Sequence, residues 1–139
     1  MGDPADHETQ LGPIANKPQY DKILAYIDIA KSEGATCVLG GGPVRHNTGG
    51  WFVEPTIFTG VHNDMRIARE EVFGPVLAVM PFRTEDDAVR IANDSLYGLA
   101  AGAWTSDHRR AFARVNASNG AADFSAAPRD ERDVVRQTL

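Results

Sequence analysis

Apolar positions along this chain change period several times, and each change marks an element. Tyr20, Ile23, Leu24, Ile27 and Ala30 recur at helical spacing, while Asp21, Lys22 and Asp28 fall on other faces. Asn16 can accept from the N3 amide, Pro18 costs no helical hydrogen bond in the first turn, and Gln19 stands at the capping-box position. Gly34 supplies a left-handed stop. A helix between Asn16 and Gly34 is therefore predicted. Ala35–Gly40 reads as a short strand holding Cys37, Val38 and Leu39, and the glycine-rich stretch 40–50 reads as a loop. Trp51–Val61 is extended but interrupted at Pro55, which cannot donate to a ladder and so implies an edge or a bulge. Asn63–Arg69 predicts a short helical turn.

Val76–Phe82 is apolar throughout, which suits a strand covered on both faces, as in a parallel sheet flanked by helices. Thr84 then caps a helix with Glu85, Asp86 and Asp87 in its first turn and Ala88, Ile91 and Ala92 inward. Leu99–Thr105 predicts a small-residue strand. Ser106 or Asp107 opens a last helix with Ala111, Phe112 and Val115 inward. Alternating helix and strand imply an α/β fold: a partial, mostly parallel open sheet with flanking helices. From Asn116 onward the pattern fails. Residues 120–139 carry scattered charges without a sustained period, and we expect a divergent, disordered or loosely helical tail there.

Composition changes this picture little. A chain of 139 residues, 42% hydrophobic and 24% charged, fits one ordinary globular domain. A net charge of −5 with both signs interspersed argues against a nucleic-acid surface and against an anionic membrane face. No apolar run approaches membrane-spanning length, and the opening Met-Gly-Asp-Pro is unlike a secretory leader, so a cytoplasmic location is expected. The lone Cys37 excludes an internal disulfide and suits a reducing compartment. His7, His46, His62 and His108 share no metal-ligand spacing, and no metal site is expected. The glycines at 40–42 lack a dinucleotide fingerprint and a phosphate-loop Lys-Ser/Thr, so they read as a turn.

The stretch with chemical promise is Arg69-Glu70-Glu71-Val72-Phe73-Gly74-Pro75. It delivers two acids and an aromatic ring, through a Gly-Pro corner, to the mouth of a strand, where α/β sheets gather ligands. A carboxylate offers two acceptor oxygens and no donor, which suits a vicinal diol such as a ribose better than a phosphate. Glu70 is expected to be structural, capping or pairing with Arg66 or Arg69.

The run from Arg69 to Pro81 resembles the glutamate-phenylalanine-glycine-proline segment of NAD(P)-dependent aldehyde dehydrogenases. Further landmarks recur in order: Gly2-Asp3-Pro4 with Glu8-Thr9, Gly12-Pro13, Glu33-Gly34-Ala35, Phe52-Val53-Glu54-Pro55-Thr56 and Tyr97-Gly98-Leu99-Ala100-Ala101. The resemblance runs from Gly2 to about Ala113. It implies a partial catalytic domain over 1–119, followed by the divergent tail 120–139, which lacks the family's Gly-Thr-Val-Trp-Val-Asn-like strand.

What the resemblance implies for the site is specific. Glu71 would hold the ribose next to the nicotinamide, and Phe73 would border the nicotinamide ring. Gln19 and Lys22 stand where related enzymes place a Gln and a Lys near the same ribose. The ordinary alternatives are a solvated acid beside a core Phe, a first-turn Gln and a surface Lys. Cys37 lies in a predicted buried strand, well after the family's nucleophile position, and reads as inert packing. No catalytic residue is therefore assigned. NAD or NADP would serve the full-length family, with weak or no binding by this chain alone. The expected function is that of a segment of an enzyme oxidising an aldehyde to a carboxylic acid, inactive by itself. The alternative is a non-catalytic α/β module that associates with itself or with a full-length dehydrogenase through exposed sheet faces and edges.

Overall fold

The structure, a computed structural model, describes residues 1–45 and 48–97, together with the backbone of Ala101–Trp104, Ala122–Asp123 and Val134–Gln137. The chain divides into two units, Met1–Pro81 and Phe82–Leu139.

The first unit is built around helix α1, Lys17–Ser32. Asn16 caps it as expected, its Oδ1 accepting from the Gln19 amide at 2.9 Å. Gln19 departs from the capping box, because its side chain reaches another segment altogether. At the other end Gly34 adopts φ +99 and Ala35 donates back to Ala30 O at 2.9 Å, which turns the chain into strand β1, Thr36–Leu39. Ile23, Ile27 and Ala30 form the buried stripe of the helix, as their spacing predicts.

A short ribbon follows, β2 (Pro43–Val44) paired antiparallel with β3 (Phe52–Val53). Pro55 breaks the extended stretch between β3 and β4, Thr56–Thr59. Helix α2, Arg66–Arg69, then leads to β5, Val76–Ala78. The main sheet has the order β1-β4-β5. Phe58 of β4 is fully buried at its centre, and Val53, Val61, Met65, Ile67, Ala68 and Val72 close the core around the α1 stripe.

Parallel pairing is found where a crossover exists: β4 and β5, joined through α2, run parallel. By contrast β1 and β4 run antiparallel, with a register shift between Cys37 and Leu39. Among the described residues the connection between those two strands holds the β2–β3 ribbon and no α-helix, so it supplies no helical crossover of the kind that makes neighbours parallel. The apolar run Val76–Phe82 also contributes less strand than its composition suggests. Only Val76–Ala78 is extended in the ladder, all three residues half-buried, and Val79 is exposed. β5 stands at the edge of the described sheet, paired only with β4 there.

In the second unit Thr84 caps α3, Glu85–Asn93, accepting from the Asp87 amide at 3.1 Å, with Glu85, Asp86 and Asp87 in the first turn and Ala88 buried. β6, Ala101–Trp104, pairs parallel with β7, Ala122–Asp123, and antiparallel with β8, Val134–Gln137. Two short strands thus fall within 120–139, where no period was legible. The helix expected after Ser106 lies outside the described residues.

Candidate functional site

The Glu-Glu-Val-Phe-Gly strip runs along one face of α1. Glu70 closes α2 with extended backbone, φ −119 and ψ 143, its amide donating to Arg66 O at 2.9 Å. Its carboxylate accepts from Arg66 Nε at 2.8 Å and Nη2 at 3.0 Å, and also from the Tyr26 hydroxyl. The Arg66 guanidinium in turn sits 5.3 Å from the centroid of the Tyr26 ring. Hydrogen bonds from Arg66 and then from Tyr26 favour the charged carboxylate and hold Glu70 down to about 2. The same Glu70 bond raises the Tyr26 phenol above its ordinary value, because a phenolate would face a carboxylate. Glu70 therefore has the structural role expected of it.

The next carbonyls are fastened one after another. Lys22 Nζ donates to Glu71 O at 2.7 Å, and Gln19 Nε2 donates to Val72 O at 2.7 Å and Phe73 O at 2.9 Å. The Lys22 ammonium also stands 5.6 Å from the ring centroids of both Tyr26 and Phe73. Gln19 and Lys22 are thus gathered with Glu71 and Phe73, but through the strip's backbone: they hold the segment that carries the acid and the ring.

The strip is tight and strained. Val72 is buried. Phe73 adopts φ +55, a left-handed conformation uncommon for a bulky side chain, and the residue is 60% exposed. A solvent-facing ring replaces the core Phe of the ordinary alternative. Gly74 passes so close to α1 that a Cβ there would lie 2.6 Å from Ile23 Cδ1.

Glu71 is half-buried, and among the described residues its carboxylate makes no hydrogen bond or ion pair. Two adjacent acids therefore differ in kind. Both Glu70 oxygens are committed to Arg66 and Tyr26, whereas the Glu71 carboxylate has no such partner among the described residues. Tyr26 escaped the sequence reading, although it lies four residues from Lys22 and seven from Gln19, on the same helix face.

Cys37 is half-buried against the core, its Sγ 3.3 Å from Leu39 O and 3.6 Å from Gly40 O. Among the described residues no group of three or more His, Cys, Asp or Glu could hold a metal ion. Nor is any described helix long and apolar enough to cross a membrane.

A family model described as the aldehyde dehydrogenase family matches residues 1–121. Betaine aldehyde dehydrogenase of Brucella anthropi is 52% identical over 112 residues, covering 79% of this chain and 23% of that protein. The fold superposes on an indole-3-acetaldehyde dehydrogenase crystallised with NAD+, with a TM-score of 0.85 and 43% identity over 90% of this chain and 25% of that one. It superposes equally on the aldehyde dehydrogenase KauB from Pseudomonas aeruginosa, TM-score 0.85 and 46% identity, with the same coverage. The chain spans about a quarter of the length of the relatives it matches. On the match over residues 1–121, and with the fold alongside it, this chain belongs to the aldehyde dehydrogenase family.

Proposed function

We propose that this chain supplies one wall of the nicotinamide-ribose site of an NAD(P)-dependent aldehyde dehydrogenase, with Glu71 accepting hydrogen bonds from the two ribose hydroxyls. The observation that carries this reading is Glu71, a half-buried residue whose carboxylate has no partner among the described residues, beside Glu70, whose two carboxylate oxygens both accept from Arg66 and Tyr26. A carboxylate left with free acceptor capacity in a partly desolvated place fits a diol, which brings two donors and no charge.

Phe73 supports the same reading. Backbone strain concentrates where a side chain must be aimed, and the left-handed φ here holds a hydrophobic ring out of the core, as a border for a planar heterocycle would require. The residues present therefore fit one end of a nicotinamide dinucleotide, which when bound supplies the hydride acceptor. Lys22 and Gln19 act on that end by holding the carbonyls of 71–73.

The reaction served is oxidation of an aldehyde to a carboxylic acid by the whole protein. Among the described residues no side chain is placed to attack a carbonyl, and the chain by itself is expected to show no turnover. Its affinity for NAD+ or NADP+ is expected to be on the order of millimolar, since one wall provides only a small part of the contacts. The test is an NMR titration of the chain with NAD+. Shifts confined to the 70–74 strip, weakened in Glu71→Gln, are the expected result; a response that ignores Glu71→Gln contradicts the reading.

A second reading, a non-catalytic module that self-associates or docks on a full-length dehydrogenase, draws on Val38 and Leu39, which are 56% and 52% exposed on the edge strand β1. Light scattering after size exclusion decides it: a monomer at all concentrations removes the self-association arm.

A further inference from the structure

The fastenings along the strip follow a regular order. Tyr26 holds residue 70, Lys22 holds 71, and Gln19 holds 72 and 73, so the helix and the strip run antiparallel with their contacts in register. The lengths agree. Seven helical residues rise about 10.5 Å at about 1.5 Å each, and three residues of extended chain cover about 10 Å. The far end is pinned by Gly74, packed on Ile23 of the same helix.

Two of these contacts differ in what they grip. Lys22 and Gln19 bind carbonyl oxygens, which every residue offers, so alone they would tolerate a strip shifted by one residue. The Tyr26 hydroxyl binds a side chain, and only a residue with an acceptor of the right reach satisfies it. Arg66 holds the same carboxylate from α2 and donates its own backbone amide to Glu33 Oε2 at 2.9 Å, at the end of α1. Tyr26, Arg66 and Glu70 therefore form a closed junction between the two helices at the point where the strip begins.

Extended backbone at Glu70 sends successive side chains to opposite sides. With Glu70 drawn toward Tyr26 and Arg66, the Glu71 carboxylate is turned the other way. A slip of one residue would place Glu71 in the junction and leave no acid on the open side.

We infer that Tyr26 and Glu70 are positioning residues: their side-chain contact sets the register of the strip against α1 and so determines that Glu71, and not its neighbour, presents a free carboxylate. For its ligand-binding consequence this rests on the ribose reading above; the register itself does not.

The test uses Tyr26→Phe, which keeps the ring over Arg66 and removes only the hydroxyl, and Glu70→Ala, each alone and combined. In the absence of ligand, the backbone amide shifts of Glu71, Val72 and Phe73 should move in the same direction in both single variants. The double variant should go little further than Glu70→Ala, because both changes undo one contact. Amides of Ile57 and Phe58 in β4 should stay in place. NAD+ binding should weaken roughly threefold to tenfold in Tyr26→Phe, the size expected for one ordinary hydrogen bond. Unmoved amides at 71–73 in both single variants would overturn the register claim whatever happens to NAD+. If the amides move while Glu71→Gln leaves the NAD+ response unchanged, the register stands and the ribose reading falls.

Discussion

Ile23 occupies the space that a side chain on Gly74 would need: a Cβ at Gly74 would lie 2.6 Å from Ile23 Cδ1 and 2.7 Å from Cγ1. Ile23 is fully buried, so it cannot swing aside without disturbing the α1 stripe. Gly74→Ala should cost about 1–3 kcal/mol as an overpacked contact. Ile23→Ala removes Cδ1 and both γ carbons and alone should cost about 2–5 kcal/mol. Because the second change relieves the first, the double variant should lose clearly less than the sum. Urea denaturation of the four proteins checks this, and simple additivity would show that the two residues do not compete for the same space.

Phe73 carries its left-handed φ without the steric freedom of glycine. That conformation costs a non-glycine residue about 1–2 kcal/mol, whereas glycine's greater unfolded-state freedom costs about 0.5–1 kcal/mol. Since the residue is mostly exposed, Phe73→Gly should leave stability within about 1 kcal/mol of the parent. Phe73→Val should be worse, because a β-branched residue is the poorest occupant of this region. Equal stability of the two variants in a urea titration would count against strain at this position.

Gln19 serves the strip only as a donor, to Val72 O and Phe73 O. Gln19→Ala should cost about 1–3 kcal/mol by leaving the part-buried Val72 carbonyl short of a partner. Gln19→Glu should be more damaging near neutral pH, where the carboxylate can only accept and would confront two carbonyl oxygens. Acidification, by protonating that carboxylate, should narrow the gap between the two variants. Urea midpoints at neutral and mildly acidic pH decide it.

Glu70 titrates near 2 in the fold against an ordinary 4.5. A depressed carboxyl stabilises the fold above its unfolded value, so this contribution is complete above pH 4.5 and is lost as pH falls toward 2. The raised Tyr26 phenol works in the opposite sense, contributing below its ordinary value of 10.0 and losing effect as pH rises through its elevated one. The urea-midpoint difference between the parent and Glu70→Gln should therefore be greatest between these limits and shrink on acidification. It should also be small and fall with added salt, since the Arg66 and Glu70 side chains are 49% and 36% exposed.

Local signals were legible in the sequence; long-range ones were not. Asn16, Pro18, the apolar stripe and Gly34 delimit α1 because caps and period act within a few residues. Thr84 does the same for α3. The Glu-Glu-Val-Phe-Gly strip stood out as a candidate site by its residue types and by its family resemblance. That Gln19 would leave its own helix cap to reach carbonyls more than fifty positions away was not, nor was the meeting of Tyr26 with Glu70 across 44 positions. Both depend on how α1 lies on the strip, which no local pattern encodes. The antiparallel β1–β4 pair was missed for a related reason. An apolar run states that a strand is covered, but strand direction follows from the connection; the helix–strand alternation implied a largely parallel sheet, and the ribbon within the stretch read as a loop joins β1 to an antiparallel β4.

The central claim is that Glu71 grips a vicinal diol, and a double comparison tests it most directly. The parent and Glu71→Gln would each be titrated by NMR with nicotinamide riboside and with its 2′,3′-dideoxy counterpart. The parent should bind the riboside, on the order of millimolar, and lose affinity when the hydroxyls are removed. Glu71→Gln should bind the riboside more weakly and discriminate less between the two compounds. If the parent binds both equally, or if the variant discriminates as well as the parent does, the carboxylate does not hold the sugar and the account fails.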